Sequence, residues 1–147
     1  MNIQLKETVE FTSNKSRNKW MADPHIGKYL DFSGDSQENS QLEKALFVTN
    51  YEIYNGKKLV GDIKVFGYKE DQIKRMAQFL IVLGEQRNKG IGTIAIALLL
   101  EKLRKKYISV YCYVNRYNLA SIRMLQKNGF LIKNLKSNEV ILYKTLI

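Results

Sequence analysis

Phe79-Leu80-Ile81-Val82-Leu83-Gly84-Glu85-Gln86-Arg87-Asn88-Lys89-Gly90-Ile91-Gly92-Thr93 decides how the rest of this chain is organised. It begins as an unbroken apolar run, the pattern of a buried strand. A polar, cationic loop follows, and Gly90-Ile91-Gly92 then opens an apolar, Ala/Leu-rich helix. A strand feeding a glycine-rich loop at a helix start is suited to hold phosphate. The glycines let backbone N–H groups approach an anion, and the helix start adds unpaired donors and partial positive charge. Arg87 and Lys89 contribute full charges. The stretch reads as a site for a phosphorylated ligand.

Downstream, Gly92 to Lys106 is expected to be a helix, with Ile94, Ala95, Leu98, Leu99 and Leu103 on one apolar face. Cations crowd its second half, where they suit the helix dipole. Tyr107 to Val114 is β-branched and aromatic and reads as a strand. Strand, helix, strand at this spacing implies a right-handed parallel crossover. Asn118 can cap a second helix, Leu119 to Lys127, ending at Gly129 in the left-handed position. Phe130 to Lys133 and Val140 to Leu146 read as a closing strand pair.

Upstream, Leu46 to Ile53 and Leu59 to Phe66 form a hairpin around Asn55-Gly56, a strong short turn signal. Gly67 to Lys74 reads as a polar connection into the strand Arg75 to Leu83. Leu5 to Phe11 is expected to be a first strand. Pro24 marks a helix boundary, because it disfavours helix at Asp23 and itself suits a helix start. Phe32 to Ser40, rich in Ser, Gly and Asp, reads as a loop closed by a short helix at Ser40 to Ala45.

The 147 residues suit one domain spanning 1–147. The formal charge of +10 suits an anionic ligand, an acidic protein or nucleic acid, but the Lys and Arg residues are scattered, which favours a generally cationic surface. Cys112, alone of its kind, reads as a buried small hydrophobe. With neither a secretory signal nor a long apolar span, a cytoplasmic protein with no membrane partner is expected. No His/Cys cluster suggests a metal.

Three phosphate-binding loops can be compared with Gly84 to Ala95. A P-loop would need glycine where Lys89 stands. Gly90-Ile91-Gly92-Thr93-Ile94-Ala95 matches the dinucleotide pattern, but its next strand reaches Asn115 without the acidic residue that should hold a ribose. Arg87-Asn88-Lys89-Gly90-Ile91-Gly92 resembles the Arg/Gln-x-x-Gly-x-Gly/Ala loop of the GNAT N-acetyltransferase superfamily. A second stretch, Asn118-Leu119-Ala120-Ser121-Ile122-Arg123-Met124-Leu125-Gln126-Lys127-Asn128-Gly129-Phe130, is similar to that superfamily's RimJ/RimL-like branch, and Trp20 to Tyr29 is similar to the branch's early Trp/Asp/Tyr stretch.

The resemblance implies an α+β fold, layered α/β/α, with a mixed, mostly antiparallel six- to seven-stranded sheet splayed at the acyl-CoA site and flanked by helices. It implies acetyl-CoA as cosubstrate, no metal, and transfer of acetyl to a primary amine, with a protein N-terminus or an amino sugar as the leading acceptors. It further implies that the backbone from Arg87 through Asn88, Lys89, Gly90, Ile91 and Gly92 to Thr93 holds the pyrophosphate. Ile81, Val82 and Leu83 would offer main-chain groups to pantetheine, and Asn115 and Asn118 would lie near the cofactor. For Asn118 the helix cap is an equal reading, and the two roles can coexist.

An alkylamine with pKa about 10.4 is protonated at neutral pH, so a base or a desolvating pocket must remove a proton. Glu52, Asp62 and His25 are the base candidates, although strand alternation would put Glu52 and Asp62 into solvent. The tetrahedral oxyanion is assigned to a backbone N–H at Val82. Where many GNAT enzymes place a tyrosine acid, this chain has Leu125; Ser121 is a possible substitute. A non-catalytic acyl-CoA-binding or nucleic-acid-binding module on the same fold is the alternative function. The charge keeps nucleic acid or the ribosome open as a partner.

Overall fold

In the computed structural model, residues 1–11, 14–27, 45–87, 89–135 and 138–147 are described. The expected loop at Phe32 to Ser40, the short helix before Ala45 and Asn88 lie outside the described residues. The elements run β1 (Ile3–Thr8), α1 (Asn14–Ala22), α2 (Pro24–Gly27), β2 (Phe47–Asn55), β3 (Lys58–Gly67), α3 (Lys69–Lys74), β4 (Met76–Leu83), α4 (Ile91–Leu103), β5 (Ser109–Asn115), α5 (Leu119–Lys127), β6 (Leu131–Leu135) and β7 (Glu139–Thr145). The strands form one open sheet in the order β1-β2-β3-β4-β5-β7-β6. Every neighbouring pair is antiparallel except β4 with β5, which are parallel and joined through α4. The mixed, mostly antiparallel sheet flanked by helices is the architecture expected from the sequence.

Strand alternation divides the side chains between two layers. On one face Ile63, Val65, Ala77, Phe79, Val110, Cys112 and Leu142 pack with Ala95, Ile96, Leu99 and Leu103 of α4 and Leu125 of α5. Phe79 and Phe130 meet edge to face at 5.8 Å. On the other face Trp20 and Ile26 of the α1–α2 pair pack with Val82 and Leu59. The buried stripe of α4 includes Ile91, Ala95, Ile96, Leu99, Leu100 and Leu103. Ile96 and Leu100 therefore take the inward places expected of Ile94 and Leu98, and Ile94 is exposed.

Several boundaries move. The first strand ends at Thr8 rather than Phe11. The polar connection before β4 contains α3, closed at its start by the Asp71 carboxylate, which accepts the Tyr68 N–H at 2.9 Å. Six residues with Asp71 alone buried leave no apolar period to read. Pro24 does separate α1 from α2, and Gly129 has φ of 86° after α5. β6 forms the far edge, with all five residues exposed and a register slip between Ile132 and Asn134.

The parallel seam between β4 and β5 is short. Met76 pairs with Ser109, Ala77 with Val110 and Gln78 with Tyr111. Past that point β4 continues to Leu83 paired only with β3, while β5 continues to Asn115 paired with β7. The sheet parts between them.

Candidate active site

The parted strands expose main-chain polar groups, and register decides which ones. Gly84 N–H donates to the Val60 carbonyl at 2.8 Å. Gly84 stands opposite Val60 in the register that pairs Leu83 with Gly61 and Val82 with Asp62. Bonded pairs alternate along an antiparallel ladder, so Val82 and Leu80 also turn their N–H and C=O toward β3. Gly61 supports this, because a Cβ there would collide with the Val82 carbonyl. Val82 thus spends its N–H on Asp62 and cannot be the oxyanion donor expected from the sequence. Ile81 and Leu83 turn theirs toward the opening.

At the end of β4 both Gly84 and Glu85 N–H groups donate to Val60, at 2.8 and 3.0 Å, and Gln86 adopts φ of 56°. This bulge steers the chain away from the sheet. Several contacts fix it. The Trp20 ring lies against Gly84, where a Cβ would fall inside it. Trp20 Nε1 donates to Glu85 at 3.3 Å, and Lys58 pairs with Glu85 at 3.2 Å. Burial pushes the Glu85 carboxyl up, but the hydrogen bonds from Lys58 and Trp20 outweigh it and hold the group below the usual carboxylate range. Asn55 donates to the Gln86 side chain at 2.7 Å, and Arg87 pairs with Asp23 at 3.2 Å. Lys89 is exposed.

Gly90 begins α4 with φ of 81°, a conformation suited to glycine, and no side chain caps the helix. The first helical bond runs from Ile94 N–H to Gly90 O at 3.2 Å, so the N–H groups of Ile91, Gly92 and Thr93 precede any carbonyl partner within the helix. Gly92 sits under Met124, whose sulfur would have to shift to admit a Cβ. Asn128 donates to the Thr93 and Met124 carbonyls, each at 3.1 Å, locking the two helices together. The start of α5 is closed by its own residues: Asn118 Oδ1 accepts the Ser121 N–H at 3.2 Å, and Asn115 Oδ1 accepts the Tyr117 N–H at 2.9 Å.

Across the α1-side face, Glu52, Asp62 and Val82 form a row on β2, β3 and β4. Glu52 is 1% exposed and Asp62 3%. Strand alternation would put both into solvent; instead both are buried, and α1 covers Asp62 through Arg17. Arg17 of α1 grips Asp62 with two donors, Nε to Oδ2 and Nη2 to Oδ1, the second at 3.1 Å. The Phe11 ring lies 4.6 Å from the same guanidinium. Burial pushes the Asp62 carboxyl up, with Arg17 pulling the other way. Tyr54 Oη donates to Glu52 at 3.3 Å.

The remaining sequence candidates are dispersed. His25 lies in α2, and its side chain is outside the described residues. Ser121 is half-buried in the first turn of α5. Leu125 is fully buried in the main core. Burial pushes the Cys112 thiol up to about 12, so it is inert. Arg17 and the Trp20–Glu85 contact escape sequence reading because their partners lie 45 and 65 residues away. Among the described residues, no group of three or more His, Cys, Asp or Glu side chains could hold a metal ion, and no helix is long and apolar enough to cross a membrane.

Comparison with curated proteins finds no match. Among solved structures, the aminoglycoside acetyltransferase AAC(6')-Ib in complex with coenzyme A and kanamycin superposes with a TM-score of 0.73 at 18% identity, over 98% of this chain and 95% of that one. The Campylobacter jejuni N-acetyltransferase PseH in complex with acetyl coenzyme A gives 0.67 at 18% identity, over 97% and 98%. A domain from Methanocaldococcus jannaschii gives 0.71 at 20% identity, over 98% and 99%. These likenesses establish the shared fold. The model of the acetyltransferase (GNAT) family matches residues 15–130, and the chain belongs to that family.

Proposed function

We propose that this single domain transfers acetyl from acetyl-CoA to a primary amine, with the cofactor entering where β4 and β5 part and the acceptor approaching from the α1-side face. The observation that carries the reading is the opening itself. It presents the main-chain groups of Ile81 and Leu83, leads to the uncapped start of α4, and borders two buried carboxylates. Pantetheine would pair with Ile81 and Leu83 as a strand does. The N–H groups from Gly90 to Thr93 would meet the pyrophosphate, with Lys89 and Arg87 beside them. One of the two gap-facing amides, rather than Val82, would meet the oxyanion.

Glu52 is the general base in this reading. Asp62 has both carboxylate oxygens committed to Arg17, which suits a fixed structural charge rather than a group that must exchange a proton. Asn118 acts as a helix cap. The resemblance to the RimJ/RimL-like branch and the cationic surface favour an amino sugar on an anionic carrier or a protein N-terminus, in a cytoplasmic setting. Thiol release from acetyl-CoA is to be measured against glucosamine, kanamycin, spermidine and a short peptide. At least one amine is expected to accelerate release, and Glu52→Gln is expected to lower that rate roughly 10²- to 10⁴-fold without changing acetyl-CoA affinity. Tight acetyl-CoA binding with no acceleration by any amine would support the non-catalytic module instead.

A further inference from the structure

The buried position of Leu125 leaves the departing thiolate without a proton donor on α5 at that site. The opening has another wall. Val110, Cys112 and Val114 of β5 point into the main core, so alternation turns Tyr111 and Tyr113 onto the face that holds Glu52, Asp62 and Val82. Tyr111 lies opposite Gln78, the last pair before the strands part. Tyr113 stands two residues further on, roughly 6.6 Å along the strand, on the β5 rim of the opening.

The two tyrosines are held differently. Tyr111 Oη donates to Asp71 at 2.6 Å, and its proton is committed there. The Tyr113 ring rests 6.1 Å from the Tyr111 ring and is 42% exposed, with no hydrogen bond to its hydroxyl among the described residues. The other phenols nearby are placed otherwise. Tyr54 donates to Glu52, and Tyr117 lies beyond the strand, 5.4 Å from the Arg116 guanidinium.

We propose that Tyr113 is the catalytic residue that protonates the leaving sulfur, an assignment that rests on the transferase reading. The ammonium gives its extra proton to solvent and reacts as the free amine. As its nitrogen attacks the thioester carbon the carbonyl pair moves to oxygen, and Glu52 takes one proton from that nitrogen. On collapse the C=O bond re-forms, the C–S bond breaks with its pair on sulfur, and sulfur takes the Tyr113 Oη proton. The phenolate regains through solvent the proton held by Glu52. Amine and acetyl thioester become amide and thiol, with nothing left over.

Tyr113→Phe keeps the ring against Tyr111 and removes the hydroxyl alone. Thiol release from acetyl-CoA is to be followed with water as the acceptor and with each amine of the panel above. Both the water rate and the amine rate are expected to fall, by roughly 10²- to 10⁴-fold, with acetyl-CoA affinity and melting temperature unchanged. Tyr113→His, which restores a donor, is expected to recover part of the loss. Unchanged rates overturn the assignment. So does a loss confined to the amine rate, which would make Tyr113 an acceptor contact, or an equal loss in Ser121→Ala with Tyr113→Phe unaffected. If the unmodified protein releases no thiol with water or any amine, the transferase reading itself fails and the assignment falls with it.

Discussion

The two faces of one sheet are built by alternate residues of the same strands, yet they obey different physics. On β3, Ile63 and Val65 turn into the α4 and α5 layer, while Asp62 between them turns toward α1. The first face is apolar and closely packed, and each large side chain buried there contributes about 1.5–3 kcal/mol. The second face carries desolvated carboxylates, a guanidinium and hydroxyls, which give little net stability and are costly when left unpaired. Stability is drawn from one side of the backbone and proton chemistry from the other. The rigid strands let the second side hold charges in place because the first side has already fixed the fold.

Phe79→Ala tests the first half of that contrast. Phe79 is 1% exposed and packs on Phe130, so its loss is expected to cost about 3–5 kcal/mol in urea unfolding. A cost below that of the next variant would break the contrast. Arg17→Met strips the partner from Asp62. Its cost is expected to fall below the ~3–5 kcal/mol of a fully buried pair, since the Arg17 side chain is 26% exposed. The cost should also depend on pH. Burial raises the folded pKa of Asp62 above its unfolded value, so the native state holds the proton over that interval, and stability falls as pH rises through it. Without Arg17 the interval extends upward. The deficit of the variant is therefore expected to be smaller near pH 5 than near pH 8, measured as urea midpoints. Tyr54→Phe removes the hydroxyl donated to Glu52 and is expected to cost only about 0.5–1.5 kcal/mol. A larger loss would mean that the polar face is also a structural core.

The elements that build the apolar face were legible in the sequence, although on α4 Ile96 and Leu100 take the inward places expected of Ile94 and Leu98. The run Phe79 to Leu83, the Asn55-Gly56 turn and the Asn118 and Gly129 boundaries of α5 all report local preference, and local preference prevailed there. The polar face was not legible. Glu52 and Asp62 look like solvent-facing members of an alternating hairpin, yet both are buried, and α1, whose Arg17 covers Asp62, is too polar to announce a buried side. Its key contact is Arg17, and nothing in the residues around either partner links it to Asp62. The direction of the Val82 amide is likewise a matter of register, which depends on how β3 aligns and not on what Val82 is. α3 was missed because six residues hold too little periodicity.

The alternating directions along β4 bear on how this strand meets solvent. In a central strand sandwiched between neighbours, deuterium should enter slowly at every amide. Here Leu80 and Val82 are closed by β3, whereas Ile81 and Leu83 present their amides to the gap. Exchange along β4 should thus take the form of a comb, slow and fast by turns, in the middle of the fold. A molecule that lies in the gap as a strand would fill in the missing teeth, and the comb would become a uniform bar.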